Sequence, residues 1–243
     1  MALYRDEAII LRTQKLGEAD RIITMLTREH GRIRGVAKGI RRTMSKFGAR
    51  LEPGSHVDIQ MYEGKTFDTV TQVESIANYG EELVGDYSRY TIASAILETA
   101  ERFTAHENEP ALQEFLLTVG AMKVLAERRY DPALILDAFL LRSCAVGGYA
   151  PSLTSCSRCE KPGPHRYFSL VGGGAVCGDC RPSASATPAP ETLALMSALL
   201  TGDWESAMAS ELRYRREANG LIAAYLQWHL ERGLRSLPLV ERA

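Results

Sequence analysis

Apolar positions recur every second residue in the first third of the chain and at three- and four-residue steps beyond it. Between Glu7 and Ile76, β-rich runs occur at Ala8 to Arg12, Arg21 to Thr27, Arg32 to Lys38, His56 to Tyr62 and Phe67 to Ile76. Branched and aromatic side chains in such runs fit half-buried strands. The fourth run alternates most cleanly: Val57, Ile59 and Met61 fall on a core face, and His56, Asp58, Gln60 and Tyr62 on the other. His30-Gly31 and Glu63-Gly64-Lys65 supply hairpin breaks. Five short strands with a long excursion between the third and fourth predict a small, partly open Greek-key barrel of the OB type. An SH3-like barrel is the competing reading.

After Tyr79 the period becomes helical. Tyr87, Tyr90, Ala93, Leu97, Ala100 and Phe103 mark one amphipathic face. Pro110 heads a second helix, and Asp131-Pro132 predicts an N-cap followed by proline at the first helical position of a third. That helix, Pro132 to Val146, is apolar nearly all round and stops at Gly147-Gly148, as the buried centre of a bundle would. Residues 150 to 181 break the pattern. The Pro/Ser/Ala stretch from Arg181 to Pro190 reads as a spacer. Helical periodicity returns at Glu191 to Leu200 and at Ser210 to Gly233, with Leu212, Leu221, Ile222, Tyr225, Leu226 and Leu230 as the stripe. The predicted class is therefore α+β and multidomain: an N-terminal OB-fold barrel (1–80) and a helical domain in two parts (81–149 and 183–243), with an inserted four-cysteine zinc segment (150–182).

Composition narrows the picture. Hydrophobic residues make up 45% of the 243 positions and charged ones 24%, which suits a globular chain of two or three units. No apolar run approaches the roughly 20 residues of a membrane span, and the start lacks the order of a signal peptide, so a cytoplasmic location is expected. Five cysteines in a reducing compartment then favour metal over disulfides.

Cys156-x2-Cys159 and Cys177-x2-Cys180 are separated by 17 residues, a spacing that suits a four-thiolate zinc site. Four thiolates leave no open coordination position, so one structural Zn2+ is expected on Cys156, Cys159, Cys177 and Cys180. His165 is not required by the spacing, and Cys144 reads as a small buried hydrophobe.

The formal net charge of −1 hides a division, since residues 1–80 carry 13 basic against 10 acidic side chains and the remainder 16 against 20. Between Arg28 and Arg50 eight basic residues face one acid, Glu29. Arg32 and Arg34 flank Ile33 and project from one outer face; Lys38, Arg41, Arg42 and Lys46 follow. These six are the candidate nucleic-acid contacts, with Phe47, Tyr62 and Phe67 as nearby stacking platforms. A solvated face is the bland alternative. Gly64-Lys65-Thr66 is not a phosphate-binding loop, because the required earlier glycine is Ile59. No zinc-protease helix, nucleophile elbow or other catalytic motif occurs, so no catalytic residue is assigned.

The stretches EAIILRTQKLGEADRIITMLTREHGRIRGVAKGIRRTMSKFGARLEPGSHVDI (7–59) and HLERGLRSLPLV, together with the order of elements, resemble the RecO family. The resemblance implies a non-enzymatic bacterial recombination mediator, cytoplasmic and associated with the nucleoid. Such a protein binds single- and double-stranded DNA, anneals complementary strands, and with RecR helps load RecA onto DNA coated by single-strand-binding protein. The acidic, apolar tail of that coating protein is expected in an arginine-rimmed apolar pocket of the helical domain, with Arg213, Arg215 and Arg216 as candidates. The competing class is a non-catalytic protein-interaction scaffold; a third, a zinc-dependent nucleic-acid enzyme, would need an open metal position.

Overall fold

The computed structural model describes residues 2–230 and 233–240. Strands β1 (Leu3–Leu16), β2 (Asp20–Thr27), β3 (Gly31–Ala37), β4 (Ser55–Tyr62) and β5 (Asp68–Asn78) close a barrel in the order β1-β2-β3-β5-β4. All neighbours are antiparallel except β3 and β5, which meet in parallel at Gly35–Asp68 and Val36–Thr69. This is the expected OB arrangement, with the barrel closed. β1 runs well past Ala8–Arg12 because it serves two partners: Leu3–Ile9 pair with β4, and Ala8–Leu16 pair with β2. A bulge between Ile10 and Arg12 bends it from one to the other. Polar Arg5, Gln14 and Lys15 hide these ends from the hydrophobic pattern.

The alternation expected of β4 holds, with Val57, Ile59 and Met61 in the core beside Ile10, Ile23, Met25 and Ile33. The excursion after β3 sends Ile40, Phe47 and Leu51 into that same core, Leu51 from a 3-10 turn at Gly48–Leu51. Phe47 is 2% exposed. It is therefore a core residue and not a stacking platform: burying an aromatic ring stabilises the barrel by roughly 1.5–3 kcal/mol, whereas a basic loop needs an apolar anchor to stay folded.

Three helices follow in the same compact unit, α1 (Tyr79–Glu82), α2 (Tyr87–Phe103) and α3 (Leu112–Ala126). The stripe expected on α2 is only half right. Ala93, Leu97 and Ala100 are buried, with Ile92, Ala95, Ile96 and Thr99, but Tyr87 and Tyr90 are 62% and 54% exposed. Where a stripe begins depends on where α3 and β1 reach the helix, which periodicity does not encode.

The second unit, Arg128–Ala243, holds α4 (Pro132–Val146), β6 (Tyr167–Ser169), β7 (Gly174–Val176), α5 (Pro190–Thr201), α6 (Trp204–Ala209) and α7 (Leu212–His229). The Asp131 side chain accepts from Ala133 N at 2.9 Å, and α4 is buried from Leu134 through Leu141 under α5 and α7. On α7, Ile222, Tyr225 and Leu226 are buried while Leu212 is exposed. Residues 231 and 232 of the expected Ser210–Gly233 helix lie outside the described residues. The stretch 181–190 is not a free spacer. Ala186 and Phe168 exchange two backbone hydrogen bonds, 2.8 and 3.0 Å, so the stretch adds an edge to β6. Small side chains permit that close backbone approach. No helix among the described residues is long and apolar enough to cross a membrane.

Candidate metal centre and nucleic-acid face

Two tight turns carry the cysteine pairs. In the first, Glu160 N–H donates to Cys156 O at 2.8 Å, with Glu160 at φ +60°, and Cys156 N–H donates to Lys161 O at 2.9 Å. The β6–β7 hairpin presents the second pair. It is fastened to the first by Ser157 N–H donating to Ala175 O (2.9 Å) and Ala175 N–H donating to Ser152 O (2.7 Å). Only glycine fits at 174, where φ is +132° and a Cβ would stand 2.2 Å from Ser152 O. The Gly172–Gly174 run is thus the turn that lets the two halves approach.

The four sulfurs lie within 4.8 Å of one another, and Cys159 and Cys177 Sγ are 3.8 Å apart. A tetrahedral ion with metal–sulfur bonds of about 2.3 Å needs sulfurs about 3.8 Å apart, so the donor set fits a four-thiolate ion. Cys156 Sγ accepts from Cys177 N–H, which draws its thiol down to about 6. The Cys177 thiol in turn pushes Cys180 up to about 12. One thiolate is thus favoured by the backbone, and further ones crowd it unless a cation neutralises them. His165 stays outside the cluster, its Nε2 2.7 Å from Lys161 O. Cys144 is 1% exposed in α4.

The six basic candidates separate into two groups. Arg32 and Arg34 do share an outer face of β3, but both are half-buried and engaged. Arg32 donates to the carbonyls of Glu101 and Ala105, and Arg34 Nε lies 2.5 Å from Glu107 Oε1 and covers the Phe67 ring at 4.9 Å. Lys38, Arg41, Arg42 and Lys46 are exposed on the excursion. Arg41 donates to Glu18 O at 2.9 Å in the β1–β2 turn, and Lys46 Nζ donates to Thr71 O at 2.8 Å on β5. These contacts hold side-chain stems against the barrel without cancelling charge. Tyr62 is 47% exposed. Gly64 turns the chain from β4 to β5, its N–H donating to Asp68 Oδ1 at 2.9 Å. The acidic partner of the β3 arginines, Glu107, was missed by the sequence reading, because an acid some 70 residues away carries no local signal.

In the second unit an open groove of about 1450 Å³ is lined by Leu153, Leu193, Leu195 and Tyr214 among others. Its lining carries Glu191, Asp203 and Glu211 against Arg166 and His165. This is not an arginine rim. Arg215 is taken up by Asp131 (3.1 Å) and by the Met208 carbonyl (2.7 Å), and Arg213 pairs with Glu211 at 3.1 Å; Arg216 is exposed.

Comparison with known proteins adds the last observation. Residues 1–79 match the family described as Recombination protein O N terminal, and residues 84–238 match Recombination protein O C terminal. Proteins named DNA repair protein RecO from Streptomyces avermitilis and Streptomyces coelicolor are each 60% identical over 248 aligned residues, covering 100% of both chains. One from Thermobifida fusca is 60% identical over 243, again covering both chains fully. With a five-stranded barrel, a helical unit and a clustered cysteine quartet in the same order, the chain belongs to the RecO family of DNA repair proteins.

Proposed function

We propose that this protein binds single-stranded DNA on its barrel, anneals complementary strands, and with RecR helps load RecA onto DNA coated by single-strand-binding protein. The observation that carries the reading is the exposed cationic run Lys38, Arg41, Arg42 and Lys46, anchored at Ile40, Phe47 and Leu51 so that its charges ride on a rigid barrel. Annealing requires no covalent step. Two backbones repel, cationic side chains replace their counterions, and bases remain free to pair. Arg32 and Arg34 belong to the same face and would join once their present partners are displaced. Tyr62 and Phe67 would offer ring faces to bases.

Cys156, Cys159, Cys177 and Cys180 would hold one structural zinc ion. The ion would supply cross-linking of the two turns and neutralise the thiolates, while the chain's own backbone N–H groups orient the sulfurs. The tail of single-strand-binding protein, being acidic, is not suited to the groove lined by Glu191, Asp203 and Glu211; exposed Arg216 is the remaining candidate of the three for that partner. The domain reading follows suit, with 1–80 for DNA and 81–243 for partners around the zinc segment at 150–182.

Fluorescence anisotropy of labelled oligothymidine across a salt series, beside cofactor-free annealing of complementary oligonucleotides, tests this. Neutralising about four phosphates on a single strand predicts a slope of log affinity against log salt near −3. Arg41→Glu with Arg42→Glu should flatten the slope by about 1.4 and slow annealing. Unchanged affinity and slope would remove this run from the interface and favour the protein-interaction scaffold.

A further inference from the structure

Three barrel arginines meet one short piece of chain at the end of α2. Arg12 pairs with Glu101 through Nε and a terminal nitrogen, at 3.2 and 2.8 Å. Arg32 donates to Glu101 O at 3.4 Å and Ala105 O at 2.5 Å. Arg34 Nε lies 2.5 Å from Glu107 Oε1, and the same oxygen is 3.7 Å from Arg32. Backbone contacts bring Glu107 there. Asn108 N–H donates to Arg32 O at 3.0 Å, making a one-residue parallel bridge on the first part of β3, short of its pairing with β5 at Gly35 and Val36. Gly31, at φ +72°, leaves room for Glu109 O, which a Cβ would meet at 1.7 Å.

A carboxylate oxygen shared by two guanidinium groups on one strand face is placed as a backbone phosphate oxygen would be. We propose that Glu107 fills, in the free protein, a phosphate-binding position formed by Arg32 and Arg34, so that residues 104–111 compete with nucleic acid for β3. The proposal rests on the DNA-binding reading above and concerns how that face is regulated. Arg34 covers Phe67 as well, so the competitor masks a phosphate contact and a stacking face together. Displacement is feasible, since Ala105, His106 and Asn108–Pro110 are exposed and Glu107 is only half-buried. The excursion cations, which have no acid of this kind over them among the described residues, would make the first contact and hold the strand near β3.

The test compares wild type, Glu107→Gln, Glu109→Gln and Glu107→Gln with Arg34→Ala, all as full-length protein binding labelled oligothymidine across a salt series. Glu107→Gln should tighten binding about three- to tenfold at low salt and steepen the salt slope by about 0.7 to 1.4, one or two added phosphates. Glu109→Gln removes the same formal charge from the same segment and should stay within about twofold of wild type. Adding Arg34→Ala should abolish most of the gain. Glu107→Ser, measured alongside with thermal unfolding of each variant, separates loss of the carboxylate from loss of the segment's fold. Wild-type binding that is salt-dependent while Glu107→Gln leaves it unchanged would overturn the competitor alone, as would an equal gain from Glu109→Gln. A wild type with no salt-dependent binding would overturn the DNA-binding reading, and this inference with it.

Discussion

Arg32 and Arg42 carry the same charge in the same run, and the fold treats them differently. Arg32 is half-buried against carbonyls and Glu107, whereas Arg42 is exposed. Charge counting finds the run but not its partition, because ion pairs form between residues distant in sequence. Phe47 makes the same point for apolar groups. His229 supplies a prediction at this scale. Its ring stacks on Tyr149 at 4.5 Å and meets Tyr225 edge-on at 4.6 Å, and its Nε2 finds no partner among the described residues. Burial holds its pKa below the usual histidine value. Between that lowered value and about 6.5 the unfolded chain binds more protons than the folded one, so stability rises with pH across this window. His229→Phe should flatten the dependence, read as urea midpoints between pH 7.5 and 5; parallel curves for the two proteins would refute the assignment.

Helix α4 shows what an element owes to local signals. Asp131 and Pro132 at its head, Gly147 at its end and apolar residues all round were legible because capping and periodicity act within a few residues. Asp131 has a second duty that was not legible, an ion pair with Arg215 of α7 at 3.1 Å. Asp131→Ala should cost about 2 kcal/mol, combining a lost cap with a largely buried arginine deprived of its carboxylate. Asp131→Asn keeps the cap and should cost about half as much in denaturant titration. No loss in Asp131→Asn would mean that the ion pair contributes nothing, and equal losses in the two variants that the cap contributes nothing. α6 and the β6 edge at Ala186 escaped the sequence reading, since six residues hold too few turns for a period and small residues carry none.

At the scale of the molecule, two compact units, Met1–Glu127 and Arg128–Ala243, imply separable unfolding. The cysteine quartet lies wholly in the second. A zinc ion on four thiolates contributes apparent binding energy of roughly 10–16 kcal/mol in small sites. Chelation under reducing conditions, or Cys177→Ser, should therefore abolish stoichiometric metal and lower one calorimetric transition. Oligothymidine affinity, assigned to the first unit, should change less than twofold. A single transition that moves as a whole would show the units to be coupled, and absence of metal from freshly reduced protein would remove zinc from the proposal.

The sequence by itself determined the five strands, the long helices with clear caps, and the cysteine pairs, because each rests on spacings of two to about 20 residues that a chain carries wherever it folds. Tertiary structure alone decided that β1 bends to serve two neighbours, that Phe47 anchors the basic excursion, and that α2 shows solvent its first two tyrosines. It also decided that Glu107 lies across Arg32 and Arg34. These are contacts between segments far apart in the chain, and burial, strand register and ion pairing across such distances are settled by which surfaces meet, a property that no local pattern encodes.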